Sequence, residues 1–161
     1  MSRKINNLIF VWFIMLLTTM MTIMPLPEFF YGIRIEWVAL AVIFFSIMNV
    51  SLMGVIAASS IGLLLDLLQG GLLGENALIL SVISYLSYRF RFQIRVYPDW
   101  QIMVVTLFLL SFGNLISLWI RGFSGQVLFV TEEWFSIIIA ALIWPIFMRM
   151  LQTLQNYFVE E

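Results

Sequence analysis

Apolar runs of about membrane-spanning length divide the chain. The first two extend from Leu8 to Met24 and from Trp37 to Leu68, and three more cover 77–88, 102–120 and 134–150. Clusters of proline, glycine and charged residues separate these runs, as expected of loops. A transmembrane helix needs about 20 apolar residues, with a range of about 17–25. The pattern therefore predicts a bundle of transmembrane helices.

The second apolar run is too long for one helix. It contains 32 residues, which would form a helix of about 48 Å, whereas the hydrocarbon core of a bilayer is about 30 Å thick. Dividing it at Asn49-Val50-Ser51 gives six spans, at about 8–24, 37–49, 52–68, 77–88, 102–120 and 134–150, in a single membrane domain over 1–161. The second and fourth spans are short, so we expect them to be tilted or to lie inside the bundle.

The positively charged residues support this division. Lys and Arg collect on the cytoplasmic side of short loops. With six spans and a cytoplasmic N-terminus, the cytoplasmic set is Arg3, Lys4, Arg89, Arg91, Arg95 and Arg149, and only Arg34 and Arg121 lie outside. Treating 37–68 as one span instead places three inside and five outside, or five inside and three outside if the molecule is inverted. We therefore predict cytoplasmic termini, with most acids of the loops on the outer face: Glu28, Glu36, Glu75, Glu132 and Glu133.

The composition indicates that the protein is surrounded by lipid, and it argues against nucleic-acid binding, thiol chemistry and most metal sites. Hydrophobic residues make up 63% of the chain, charged residues 11%, and the mean hydropathy is +1.05. The net charge of −1 gives no basic patch of the kind that binds nucleic acid. Cysteine and histidine are both absent, which removes disulfides, thiolate nucleophiles and nearly every zinc or copper site. We predict no metal and no cofactor.

Among the residues of the predicted spans, the ionisable residue that stands out is Asp66, near the outer end of the third span. Gly54, Ala58, Gly62 and Asp66 follow one another at intervals of four residues, which places them on one face of a helix. Small residues at this spacing let another helix approach closely. One interpretation is a helix–helix contact with a partner protein. The alternative is that Asp66 only hydrogen-bonds the turn from Gln69 to Asn76.

The sequence argues against an enzyme. Asp66 has no second carboxylate at membrane depth, which an intramembrane aspartyl protease would need. Serine nucleophiles lack a histidine to activate them. The remaining charged feature is the loop with Arg89, Arg91 and Arg95 among aromatic and apolar residues, which suits a partner, an anionic lipid surface or simple control of topology.

Several segments together resemble the MreD family of bacterial rod shape-determining membrane proteins. The main one is LLLDLLQGGLLGENAL, from Leu63 to Leu78. The others follow in the same order as in the family: IMPLP (23–27), the tryptophan at 37, the arginine-rich loop after the fourth span, and LIWP (142–145). The resemblance covers nearly the whole chain.

This resemblance implies a non-enzymatic scaffold of the machinery that builds the lateral cell wall, located in the bacterial inner membrane. Its implied partners are the membrane-anchored protein MreC, the elongation transpeptidase and glycosyltransferase, and MreB filaments. Association of two copies is left open. The implied bundle is similar to the substrate-binding subunits of energy-coupling-factor transporters. That similarity supports an alternative function, a small-molecule binding or transport subunit with an outer pocket around Asp66 and the glycines at 70, 71 and 74.

Overall fold

The protein is described by a computed structural model that covers residues 2–24, 35–48, 53–125 and 130–160. The described ranges form six α-helices and contain no strand. The helices are α1 (Ser2–Ile23), α2 (Trp37–Met48), α3 (Val55–Gln69), α4 (Glu75–Ile94), α5 (Asp99–Phe123) and α6 (Val130–Glu160). Side chains are described for 7–24, 35–48, 53–125 and 133–157. The fold is therefore all-α, as the apolar pattern predicts.

Helix α2 lies at the centre of the bundle. Ten of its twelve residues are buried, and it packs against α1, α4, α5 and α6. Its one buried hydroxyl, Ser46, is hydrogen-bonded to Ser84 of α4 at 3.0 Å. Because neighbouring helices surround α2, the thickness of the lipid does not set its length. This position explains how a helix of only twelve residues fits the bundle.

The outer surface of the bundle is strongly apolar. Met20 of α1, Phe108 of α5 and Ile146 of α6 are 75%, 65% and 72% exposed. Within the described residues, two helical segments, Asp99–Phe123 and Glu133–Tyr157, are long and apolar enough to cross a membrane, and Asn7–Ile23, Trp37–Met48 and Val55–Gln69 are shorter apolar helices. Apolar exposure on this scale is costly in water. The surface suits a hydrocarbon surrounding.

Helices α3 and α4 form a tight hairpin. The turn between them uses Gly70 and Gly74, whose φ angles of 65° and 98° favour glycine. Below the turn, a Cβ added to Gly62 would lie 2.6 Å from both the backbone nitrogen of Ala77 and the carbonyl oxygen of Asn76. The two backbones therefore touch at Gly62, and only glycine permits this approach.

The helices differ from the predicted spans mainly at their ends. Helix α4 continues from the predicted end at 88 to Ile94, and α6 continues through Pro145 to Glu160. The extra turn of α4 is held by tertiary contacts, since Ile94 is buried and the adjacent Arg95 bonds to the end of α2. The predicted break at Asn49-Val50-Ser51 and the loop at 25–34 lie outside the described residues.

Candidate functional site

The charged side chains that the structure describes lie at two opposite ends of the bundle. One, here called the acidic end, is formed by Glu36, Glu75, Arg121 and Glu133. The other, here called the basic end, is formed by the arginines at 89, 91 and 95 and by the ion pair of Arg149 with Asp99. The sequence predicts the same two groups on opposite sides of a membrane. Glu28 and the side chain of Glu132 lie outside the described residues.

Asp66 caps the N-terminus of α4. Its side chain is 2% exposed. Its carboxylate accepts hydrogen bonds from the backbone N–H groups of Gly74 at 2.8 Å, Asn76 at 2.9 Å and Ala77 at 3.4 Å. Unpaired N–H groups at a helix N-terminus favour a negative charge. The sequence left open whether Asp66 contacts a partner protein or hydrogen-bonds the turn before α4. The structure shows the hydrogen bonds to that turn.

The predicted small-residue face is largely used within the chain. Ala58 is fully buried, Gly62 touches the backbone of α4, and Asp66 caps the same helix. Gly54 lies at the exposed start of α3, and no atom is within 4 Å of the position that a Cβ would occupy there. Contact of this face with a partner protein stays a prediction.

At the acidic end, Arg121 links three helices. Its Nε donates to Oε1 of Glu75 on α4 at 2.7 Å, and its Nη1 donates to Oε1 of Glu133 on α6. The hydroxyl of Ser117, one turn earlier on α5, donates to the same oxygen of Glu75. Glu75 is 7% exposed. A buried carboxylate needs such partners, so this cluster holds the ends of α4, α5 and α6 together.

Glu36, just before α2, completes the acidic end. It is exposed and lines a cavity between the helices, and the protein atoms around it desolvate its carboxylate. This desolvation raises the pKa of Glu36 above its usual 4.5. Repulsion by Glu133 and Glu75 raises the pKa further, and Arg121 opposes the rise. Among the described residues, no group of three or more acidic, histidine or cysteine side chains has an arrangement that could hold a metal ion.

A cavity of about 500 Å³, here called the interhelical cavity, opens near the acidic end, and all six helices contribute to its lining. Its polar lining residues are Thr22, Glu36, Gln69, Asn76, Asn114, Ser117, Arg121, Glu133 and Ser136. Asp66 and the glycines of the α3–α4 turn do not line it. The carboxylate of Asp66 turns toward the N-terminus of α4, and a pocket around Asp66 and these glycines stays a prediction.

The arginines of the basic end differ in their surroundings. Arg95 donates from Nη2 to the carbonyl oxygens of Ile47 at 2.6 Å and Met48 at 3.1 Å, and so caps the C-terminus of α2. The guanidinium of Arg91 lies 4.3 Å from the ring centroids of both Tyr88 and Phe92. The side chain of Arg89 is exposed. Arg95 is therefore a structural residue here, whereas Arg89 is free to meet a surface or a partner.

An apolar groove, here called the α1/α6 groove, runs between the first and last helices. Its volume is about 530 Å³, and it is lined by Phe10, Phe13, Ile14, Leu17, Thr18, Met21, Trp37, Ile143, Ile146, Phe147, Met150, Leu151 and Leu154. The hydroxyl of Thr18 donates to the carbonyl oxygens of its own helix, at 2.9 Å to Ile14. The surface of the groove is therefore apolar.

Comparison with known protein families identifies the chain. Residues 2–154 match the family described as rod shape-determining protein MreD. The chain belongs to the MreD family. No solved structure matches it. MreD proteins are membrane proteins with a role in determining rod shape, and the family is a shape-determining one and not an enzyme family. The resemblance inferred from Leu63–Leu78 and the other segments is confirmed.

The structure adds site residues that sequence reasoning did not select. Glu75, Ser117, Arg121, Glu133 and Asn114 meet at or near the acidic end, although they come from three helices. The sequence predicts Glu75, Arg121 and Glu133 on the same side of the membrane, and this was the one indication that they could meet. Their pairing depends on how α4, α5 and α6 are rotated, which the apolar pattern does not specify.

Proposed function

We propose that this protein is a non-enzymatic membrane scaffold of the bacterial cell-elongation machinery, which binds MreC and helps to control lateral cell-wall synthesis. Through MreC it influences the elongation transpeptidase and glycosyltransferase and the MreB filaments. It crosses the inner membrane six times, with the acidic end outside and both termini in the cytoplasm. Membership of the MreD family and the excess of arginine at the basic end support this proposal.

The α1/α6 groove is the observation that carries the scaffold function. Its lining follows α1 for about three turns and presents apolar atoms throughout. In a membrane, such a groove offers van der Waals packing to an apolar helix, which is the main attraction between transmembrane helices. We assign it to the membrane anchor of MreC. The face with Ala58 and Gly62 is less suited, because α4 already covers it.

The arginines of the basic end offer a second contact surface, for anionic lipid headgroups or a cytoplasmic partner. Arg89 and Arg91 lie where anionic headgroups or a cytoplasmic partner would meet the protein. Each arginine near an anionic membrane surface contributes about 1 kcal/mol. Arg95 contributes less to such a contact, because its guanidinium is held by the carbonyl groups of α2.

Filling the groove tests the scaffold proposal. Leu17 of the groove and Leu115 on the outer face of α5 are 43% and 44% exposed, so they form a matched pair. The Leu17→Trp variant should capture roughly tenfold less MreC in co-purification from membranes, a loss of about 1.4 kcal/mol. The Leu115→Trp variant should capture as much MreC as the wild type.

The same pair distinguishes a partner contact from a folding defect. Both variants should reach the membrane at wild-type levels, since each places an apolar side chain in lipid. Cells that depend on the Leu17→Trp variant should become rounder, and cells with Leu115→Trp should stay rod-shaped. Equal capture of MreC by the two variants would contradict the assignment of the groove.

A further inference from the structure

The interhelical cavity has no part in the scaffold proposed above. Its volume of about 500 Å³ lies within the range of about 300–1,000 Å³ that small-molecule sites occupy. Along α5 its lining changes from Leu110 to Asn114, Ser117 and Arg121, and so becomes polar toward the acidic end. An apolar wall with a few convergent polar groups is typical of a site for a small molecule.

Two polar atoms in the wall of this cavity have no partner among the described residues. They are Nδ2 of Asn114 and Oε2 of Glu133, and both are buried. Both residues line the cavity. A buried polar atom that lacks a hydrogen bond is costly, and most such atoms in folded proteins are paired. Because these two atoms have almost no accessible surface, a molecule in the cavity would meet them only after a side-chain rotation, and their missing hydrogen bonds favour such a rotation when a partner group is present.

The charged residues around the cavity indicate which charge that molecule should carry. Glu36, Glu75 and Glu133 face a single cation, Arg121, which gives a net charge of −2 when all four groups are ionised. The guanidinium of Arg121 is held between Glu75 and Glu133. Glu36 has no ion pair within the described part of the chain. Its accessible carboxylate is thus available to a cation in the cavity.

We propose that the interhelical cavity binds a primary ammonium group attached to an apolar body. Glu36 and Glu133 hold the ammonium group, and the apolar body packs on Leu80, Leu110 and Ile137. The ammonium group can belong to an amine-headed phospholipid or to a free amine, since the recognised chemistry is the same. Asn114, next to the acids, meets a polar acceptor group of the same molecule.

Isothermal titration of the whole protein in phosphatidylcholine nanodiscs tests this proposal. The probe is 2-phenylethylamine, and 2-phenylethanol is its uncharged counterpart. We expect saturable binding of the amine at one site, at least about tenfold tighter than any binding of the alcohol, because a charge-assisted hydrogen bond is lost with the charge. Binding of the amine should weaken as the pH falls through the pKa of Glu36, since the protonated carboxyl group no longer attracts a cation. The charged groups that face Glu36 are Glu133, Glu75 and Arg121.

Two variants test whether 2-phenylethylamine binds in the interhelical cavity. Glu36→Gln keeps the shape of the side chain and should weaken binding of the amine by about tenfold or more. Asp99→Asn removes one carboxylate from the exposed ion pair at the basic end and should leave the affinity unchanged. The proposal fails if the wild type binds no amine, binds amine and alcohol equally, or keeps its affinity in Glu36→Gln.

Nanodiscs that contain phosphatidylethanolamine distinguish the two sources. Replacing half of the phosphatidylcholine should weaken the apparent binding of 2-phenylethylamine if the natural occupant is the amine-headed lipid. An unchanged affinity would assign the cavity to a free amine. A loss of this binding leaves the MreC assignment unaffected, because the α1/α6 groove shares no residue with the cavity.

Discussion

Asp66 illustrates how one residue joins two helices. Its carboxylate lies at the end of α3 and accepts three backbone hydrogen bonds from the start of α4. The charge also interacts favourably with the N-terminal end of the helix dipole of α4. An acid at this depth normally marks a functional site in a membrane protein. Here the N–H groups of a helix start satisfy it, which gives the charge a structural role.

Replacing Asp66 with asparagine should therefore destabilise the protein. Asparagine presents an N–H₂ group where a second oxygen now accepts hydrogen bonds, so at least one backbone donor loses its partner. The expected loss is about 2 kcal/mol or more, measured as a lower midpoint of thermal unfolding in detergent. Asp99→Asn is the control, because its ion pair is exposed and contributes little. Equal midpoints for the two variants would contradict the capping role.

Arg121 allows a second test at the scale of single residues. Replacing it with glutamine leaves Glu75 buried without a cation, and breaking a buried pair in this way typically costs about 3–5 kcal/mol. The double variant Arg121→Gln/Glu75→Gln should be more stable than Arg121→Gln alone, since no charge is then left at the buried position 75. Glu133 also loses Arg121 in both variants, but its side chain is 28% exposed and can be solvated. Unfolding in detergent measures both. Additive losses would show that the pair contributes nothing specific.

At the scale of helices, the α3–α4 hairpin depends on a backbone contact. Gly62 lies against Ala77, and the turn at Gly70–Gly74 returns the chain within a few residues. The capping contact of Asp66 lies directly above. The segment that carries the family resemblance, Leu63–Leu78, therefore includes the turn and the cap of this hairpin. Its pattern of glycine and aspartate reflects packing within the chain.

Adding one methyl group at Gly62 should separate the two helices. The Gly62→Ala variant should lose about 1–3 kcal/mol of stability, as overpacked cores do, because the atoms opposite are backbone. Gly122→Ala is a matched control inside α5, since nothing lies within 4 Å of its Cβ position. Alanine favours a helix over glycine, so this control should be as stable as the wild type or slightly more so. A Gly62→Ala variant with the wild-type midpoint would exclude a close α3–α4 contact.

At the scale of the whole molecule, the helices place acidic and basic groups at opposite ends. The turn between α3 and α4 and the end of α5 lie at the acidic end, and the turn between α4 and α5 lies at the basic end. Arg95 joins the α4–α5 turn to the end of α2. Successive connections between helices thus alternate between the two ends. A chain in which every helix crosses the membrane must alternate in this way.

The absence of cysteine makes the proposed orientation directly measurable. Single cysteines are introduced by Gly71→Cys, Ser124→Cys and Val96→Cys, all at exposed positions. A membrane-impermeant maleimide should label the first two variants in intact cells whose outer membrane has been permeabilised. The Val96→Cys variant should react only after the inner membrane is disrupted. The reverse result would place the acidic end in the cytoplasm.

Six helices in the described ranges, their approximate bounds, an apolar outer surface and the family were all predictable from the sequence. Each of these depends on local composition: an apolar run long enough to form a spanning helix has few other structures available to it. The two charged ends were predictable for the same reason, since the charges fall between the apolar runs. The segments that resemble the family, taken together in their order along the chain, were sufficient to identify it.

The way in which these helices use their side chains depends on packing and could not be predicted from the sequence. A run of apolar residues does not specify which face meets lipid, so α2 could not be recognised as the central helix from its sequence. The direction of Asp66, the link from Arg121 to Glu75 and Glu133, and the interhelical cavity all depend on the rotation of neighbouring helices. Contacts between residues far apart in the chain are set by packing, and local pattern carries no information about that packing.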